Sequence, residues 1–336
     1  MITVGDDHTL KIYALGEDGT LEEKLTISHN DRIKSARFSD DGSKVVTISD
    51  DHSVKILGQE VDGSWKEKTT IFHSGNIRSA EFSPDGSHLV TASDDHTAKI
   101  YGQNVDGSWE ENATIYNKGS VNSATFSIKG HHLVTISNDY TAKIYDWGIN
   151  VSWKAKTIVS HNDKINSATF STDGCHLATA SDDHTAKIYG RETDGSWVEK
   201  ATIFHKDKVR SAIFSADGCH LVTICDDHTA KVYDKMADGS WVEKVTITHK
   251  DRISSVAFSA NGRHLVTTSD DQTANIYELG ADESWTKKVT ISHNDKVISA
   301  NISADGSHVV TASDDHTNSL WQDGRRIMGK KNHHSP

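Results

Sequence analysis

The sequence predicts an all-β chain built from repeated four-stranded antiparallel units, and three observations predict it. The string Asp-Asp-His-Thr starts at Asp6 and returns with small changes at Asp50, Asp94, Asn138, Asp182, Asp226, Asp270 and Asp314, every interval being 44 residues. Within a unit the apolar residues follow a period of two and nowhere the 3.6 period of a helix. Gly and Asp cluster between the strand-like runs, as tight turns require. One sheet per unit leaves a free edge and a bare apolar face, and radial packing into a closed ring covers both. The expected architecture is therefore a β-propeller of four-stranded blades. Identical intervals without an insertion leave no place for a second domain.

The strands of one unit follow in order. Asn76–Ser83 is the innermost, and Pro84-Asp85-Gly86 turns the chain into His88–Ser93. A tight turn at Asp94–His96 leads to Thr97–Gly102, and a Gly-containing loop leads to the outer strand Trp109–Tyr116. Val, Ile, Thr and aromatic residues in these runs suit a pleated, half-buried surface.

Composition excludes several classes. With 36 Lys+Arg against 48 Asp+Glu the net charge is −12, which disfavours broad nucleic-acid or anionic-membrane binding. No apolar run approaches the ~20 residues of a spanning helix, and Met1–Leu10 lacks the pattern of a signal peptide. Cys175, Cys219 and Cys225 form no disulfide framework, so a reducing, cytoplasmic setting is expected; separately, a monomer is expected.

At this point the residues resemble the WD-repeat β-propeller family. Over His205–Asp234 the order is His205, Val209, Ala212, Phe214-Ser215, Asp217-Gly218, Leu221, Thr223, Cys225-Asp226-Asp227, Thr229 and Tyr233-Asp234, at the family's spacing. The likeness extends over seven units. Two departures stand out: the Gly of the family's Gly-His pair is Ser, Phe, Tyr or Thr, and the terminal Trp is usually Tyr.

The resemblance implies one buried hydrogen-bond network per blade. Its sets would be His73/Thr91/Asp95/Tyr101, His161/Thr179/Asp183/Tyr189, His205/Thr223/Asp227/Tyr233, His249/Thr267/Asp271/Tyr277 and His293/Thr311/Asp315/Trp321. Tyr is expected to stand in for Trp through its hydroxyl. Each bond adds only ~1 kcal/mol net, while a buried member left unpaired costs ~1–3 kcal/mol, so the network fixes register more than it adds stability. Leu57 breaks the set with His29, Thr47 and Asp51, and Asn117 replaces His in the set with Thr135, Asp139 and Tyr145. Asn can still donate and accept, so the Leu57 blade is expected to be the less rigid. A Thr/His/Asp trio could also serve nucleophilic catalysis, but a trio present in nearly every unit is structural, and no catalytic residue is assigned.

Two further series of histidines follow the repeat: His8, His52, His96, His184, His228 and His316 in the tight turn, and His88, His132, His176, His220, His264 and His308 opening the second strand. Both are expected to be largely solvated. The tight-turn position calls for φ > 0. Symmetry-related side chains lie too far apart to share a metal, so no metal or cofactor is expected. Charging all 21 His would carry the net charge from −12 to at most +9, which makes a pH response conceivable. The Asp-Gly-Ser-Trp loops lack the ligand pattern of a calcium site. The Trp residues that follow them (Trp65, Trp109, Trp153, Trp197, Trp241, Trp285) are expected to pack between outer strands.

Strand counting leaves two ways to close the ring. In the preferred one Glu22–Ser28 pairs with Thr317–Gln322, giving seven blades over residues 22–322, a surplus half-blade at 1–21 and a disordered basic tail at 323–336. The other keeps eight incomplete blades. A start in mid-repeat suggests a piece of a longer tandem array.

Positions that vary between otherwise similar blades are candidates for function. Arg32, Lys34, Arg78, Lys164, Lys208, Arg210, Arg252 and Lys296 would lie at the mouth of the ring. They would favour an acidic or phosphorylated protein segment or peptide. Against this, Asp31, Asp163, Asp207, Asp251 and Asp295 adjoin five of the mouth positions. The function expected is a non-enzymatic interaction scaffold. A propeller enzyme, hinted at by Arg37 and Glu81 in innermost strands, and a purely structural array are the alternatives.

Overall fold

The protein was analysed as a computed structural model that describes residues 1–16, 19–148, 152–315, 317–322 and 325–331; side chains of 148, 152 and 317–331 are not described. Among the described residues all regular structure is β, and no helix is long and apolar enough to cross a membrane. Seven four-stranded antiparallel sheets occupy residues 33–72, 77–116, 121–160, 165–204, 209–248, 253–292 and 297–331, preceded by a three-stranded sheet. In the second of the seven the strands are Ile77–Phe82, His88–Ser93, Thr97–Gln103 and Trp109–Tyr116, within one residue of the expected bounds.

The chain divides into two compact units, Met1–Ser160 and His161–Pro336. In each unit neighbouring sheets bury apolar side chains against one another. Val46, Ile56 and Ile71 of one sheet meet Ile77, Phe82 and Trp109 of the next, and Ile188 and Ile203 likewise meet Val209 and Phe214. Alternation along each strand supplies these faces: in Thr97–Gln103 the residues Ala98, Ile100 and Gly102 are buried while their neighbours are partly exposed. A bulge between Ile100 and Tyr101 recurs at the same place in the other sheets, adding twist that lets the sheets stack.

Strand membership at the two ends differs from the expectation. Leu21–Ser28 pairs with Thr9–Leu15, not with Thr317–Gln322, and Ile2–Val4 adds the third strand. Thr317–Gln322 pairs instead with Arg325–Lys331, a strand within the stretch expected to be disordered. The sequence at 323–324 is Asp-Gly, a strong signal for a two-residue hairpin connection, and such local pairing costs far less loop-closure entropy than pairing across the chain. Residues 323–324 and 332–336 of the expected tail lie outside the described residues.

The tight turns adopt the left-handed conformation: φ is 63° at His8, 63° at His52, 70° at His96, 63° at Tyr140, 69° at His184, 64° at His228 and 71° at Gln272. A hydrogen bond from Asp95 N–H to Ser93 Oγ and others from Thr97 N–H and Oγ1–H to Asp95 Oδ1 hold the chain there. His96→Gly should leave the unfolding midpoint unchanged or raised, whereas His96→Val, β-branched at φ > 0, should cost about 1 kcal/mol or more in denaturant titration.

Candidate functional site

Each turn aspartate is the centre of a polar seam. Asp95 Oδ1 accepts from Thr97, while Oδ2 takes the Ser74 N–H at 3.0 Å and lies 2.8 Å from His73 Nδ1. His73 Nε2 lies 2.8 Å from Thr91 Oγ1. The same contacts join His161 to Asp183 (2.9 Å) and Thr179 (2.8 Å), and His249 to Asp271 (3.0 Å) and Thr267 (2.8 Å). His293 lies 3.4 Å from Asp315 and 2.8 Å from Thr311. Burial alone would raise the pKa of Asp95, but bonds from Thr97, His73 and Ser74 outweigh it and hold it at about 2. Burial lowers the pKa of His73, and the facing Asp95 offsets only part of that loss.

In the sheets that keep the histidine the tyrosines do not join the seam. Tyr101, Tyr189 and Tyr233 donate to Glu111 (3.2 Å), Glu199 (3.1 Å) and Glu243 (3.2 Å). A phenol oxygen sits at the far tip of its ring, so it overreaches the threonine and meets its cross-strand partner, as with Tyr101 opposite Glu111. Tyr277 faces Lys287 in the same register and has no such partner. The Trp321 side chain lies outside the described residues.

Of the two departures, Leu57 leaves the polar link of its sheet intact and Asn117 breaks it. His29 keeps Thr47 at 2.8 Å, Ser53 at 2.9 Å and Asp51 at 3.3 Å, and Leu57 fills apolar space with no exposed surface. In the other sheet both amide atoms of Asn117 and the Thr135 hydroxyl are buried without a hydrogen bond. The Asn amide stops short of the reach of an imidazole and cannot bridge threonine and aspartate. His205 is a third departure, unforeseen: it keeps Thr223 at 2.9 Å, but its Nδ1 has no hydrogen-bond partner.

The cations at the candidate mouth carry carboxylates with them. Lys34 and Arg32 meet Asp50 at 2.7 and 3.2 Å, and Arg78 meets Asp94 at 2.8 Å. Lys208 meets Asp182 at 3.3 Å, Lys296 meets Asp270 at 3.7 Å, and Arg210 forks onto Asp226 through Nε and Nη2. Among the described residues Lys164 and Arg252 make no ion pair within 4.0 Å. The partner is thus the first aspartate of the repeated string, missed in the sequence. Asp31, Asp163, Asp207, Asp251 and Asp295 instead accept the N–H of the next residue. A sequence signal was there: where Asn138 replaces this aspartate, the facing residue is Asn122, bonded to it at 2.7 Å.

The second-strand histidines are less solvated than expected: His88, His132, His264 and His308 are half-buried. His176 and His220 are buried, with their rings 5.9 Å from Trp241 and 5.4 Å from Trp285. His132 and His220 lie 2.6 Å from Asp146 and Asp234. The Trp residues pack against the Phe that ends the first strand of their own sheet, as Trp109 does on Phe82 at 6.0 Å and Trp241 on Phe214 at 5.7 Å.

One innermost-strand carboxyl is set apart. Glu81 lines a cavity of about 280 Å³ with Arg37, Asp40 and Pro84. Burial pushes its pKa up to about 7, against the attraction of Arg37 and a hydrogen bond with Thr125.

The family model described as WD domain, G-beta repeat matches the chain seven times, at residues 21–56, 65–102, 109–146, 153–190, 197–234, 241–278 and 285–322. Among solved structures the chain is similar to Sqt1 from Chaetomium thermophilum, with 16% identity and a TM-score of 0.68 over 94% of this chain and 90% of that one. No curated protein matches in sequence.

Two predictions follow from the buried titrating groups. His29, His73, His161, His205 and His249 all have pKa values depressed below the free value of 6.5, that of His205 to about 4, chiefly by burial. Below pH 6.5 the unfolded chain binds protons that the folded chain refuses, so the denaturant midpoint should fall steadily from about pH 7 to pH 5. Glu81 has the opposite displacement, so its cost to stability grows from its ordinary pKa of 4.5 up to about 7 and is constant above. Glu81→Gln should therefore raise the midpoint above pH 7, by roughly 3 kcal/mol at the upper limit, and change it little at about pH 4.

Proposed function

The chain belongs to the WD-repeat family of β-propellers, and on that premise we propose that it is a non-enzymatic scaffold that grips an acidic or phosphorylated protein segment through Arg32, Lys34 and Arg78. Propellers of this family generally bind proteins or peptides. The observation that carries the finer reading is the way the two arginines are held. Arg32 and Arg78 each engage their aspartate through Nε, with side chains 67% and 54% exposed, which leaves their terminal nitrogens for a partner's carboxylate or phosphate. Arg32 and Lys34 also share the single carboxylate of Asp50. Arg210, by contrast, already spends its fork on Asp226.

A propeller enzyme is the second reading, favoured by Glu81, whose raised pKa beside a cavity suits a general acid or base. The scaffold reading is the better supported, because the hydroxyl among the lining residues, Ser39, is tied into its own turn, donating to Asp41 and accepting from the Lys44 N–H, and no base activates it.

The test is an array of acidic and phosphorylated peptides probed with the intact chain. Arg32→Glu combined with Arg78→Glu should lower binding at least tenfold, and added salt should weaken the wild-type signal. Lys208→Glu combined with Arg210→Glu should have the smaller effect. Binding that is unchanged in the Arg32/Arg78 variant overturns the assignment.

A further inference from the structure

One sheet departs from its sisters at a single buried position. The residue two before the turn aspartate is Ser at 49, 93, 137, 181, 269 and 313, and Cys at 225. In the sister sheets that keep the histidine the serine holds the turn aspartate close, with N–H to Oγ distances of 3.1 Å for both Asp95 and Asp183, while Asp139, whose sheet has Asn117 instead, lies at 3.4 Å. The larger sulfur of Cys225 sets the Asp227 N–H back to 3.5 Å. Asp227 then loses the two bonds its counterparts make through Oδ2. Neither His205 Nδ1 nor the Lys206 N–H reaches it, whereas Asp95 takes His73 and Ser74, and Asp271 takes His249 and Lys250. A cavity of about 600 Å³, lined by His205, Lys206, Asp227 and Lys231, opens there, against about 160 Å³ at the corresponding place beside His29 and Asp51.

The gap brings together three groups of different chemistry. An imidazole nitrogen of His205, Cys225 Sγ and an Asp227 carboxylate oxygen all lie within 4.8 Å of one another. From these contacts we infer that His205, Cys225 and Asp227 form a site for one divalent zinc-like cation, with a fourth position open to the cavity. One thiolate, one imidazole and one carboxylate is a ligand set that favours zinc over hard cations such as magnesium or calcium. Bond lengths of ~2.0–2.3 Å about one ion place ligand atoms roughly 3.5 Å apart, so the side chains need to close by about 1 Å.

The imidazole is free to present a lone pair. In the sister sheets a carboxylate at Nδ1 requires the proton on that nitrogen. At His205 that carboxylate is withdrawn, and Thr223 Oγ1 lies 3.5 Å from the Lys231 carbonyl, which can accept its hydrogen. His205 can then donate through Nε2 to Thr223 at 2.9 Å, leaving Nδ1 bare toward the ion. In the metal-free site the Cys225 thiol donates to the Asp207 carbonyl at 3.2 Å. Binding forms the metal–sulfur bond and breaks S–H, and the proton leaves to solvent, so one cation exchanges for one proton at the thiol. The open position faces Lys206 and Lys231, which suits water or a small anion as the fourth ligand.

The test is cobalt(II) titration of the full chain after chelator treatment. Cys175 and Cys219 are exposed, so both are first changed to Ser, leaving Cys225 as the sole thiol. One equivalent of cobalt should produce a thiolate-to-metal charge-transfer band and the visible bands of a four-coordinate site, and one equivalent of zinc should abolish both. Cys225→Ser restores the residue of the sister sheets and so keeps the fold, checked by circular dichroism. It should lose the charge-transfer band and lower zinc affinity tenfold or more in competition with a chromophoric chelator. Absence of the band in the single-thiol protein, or its persistence in Cys225→Ser, overturns the assignment.

Discussion

The architecture depends on a carboxylate placed at a hairpin turn. Asp95 and its counterparts are largely withdrawn from water, which penalises their charge, and the charge is kept only because backbone and side-chain donors converge on it. Those donors come from two separate pieces of chain: the turn itself, and the segment just before the innermost strand of the same sheet. The aspartate therefore ties the start of a sheet to its middle. Because a slip by one residue would strand several buried polar atoms at once, the contact selects a single register.

Repetition of this contact makes its failures informative. Asn117 shows what happens when the bridging ring is shortened, and Cys225 what happens when the atom supporting the turn is enlarged. Leu57 does neither, because it lies outside the histidine–aspartate link, and its sheet keeps that link intact. The loss that matters is of reach between fixed groups. Hydrogen-bonding capacity alone does not predict it.

Much of this was legible in the sequence. The strand bounds in Ile77–Tyr116, the left-handed turn at His96 and the joining of His73 to Asp95 and Thr91 follow from period, turn chemistry and repeat position. What escaped depends on lengths and directions that a string of letters does not carry. Tyr101 chooses Glu111 because of where a phenol oxygen ends, and His176 is buried because Trp241 covers it. The pairing of Arg78 with Asp94 needed register, since the two lie 16 residues apart and adjoin only across a hairpin. The hairpin of Arg325–Lys331 was signalled by Asp-Gly, but an expectation of long-range closure obscured the local choice.

Every four-stranded sheet, including the last, is drawn from about forty consecutive residues, with each strand bonded to its sequence neighbour. A nascent chain leaving the ribosome can thus complete one sheet before the next is synthesised, and no strand waits for a distant mate. Low contact order of this kind favours fast assembly. The same likeness between units carries a hazard, because a strand whose own neighbour is delayed meets near-copies of it in adjoining units, the circumstance that promotes strand exchange in tandem arrays.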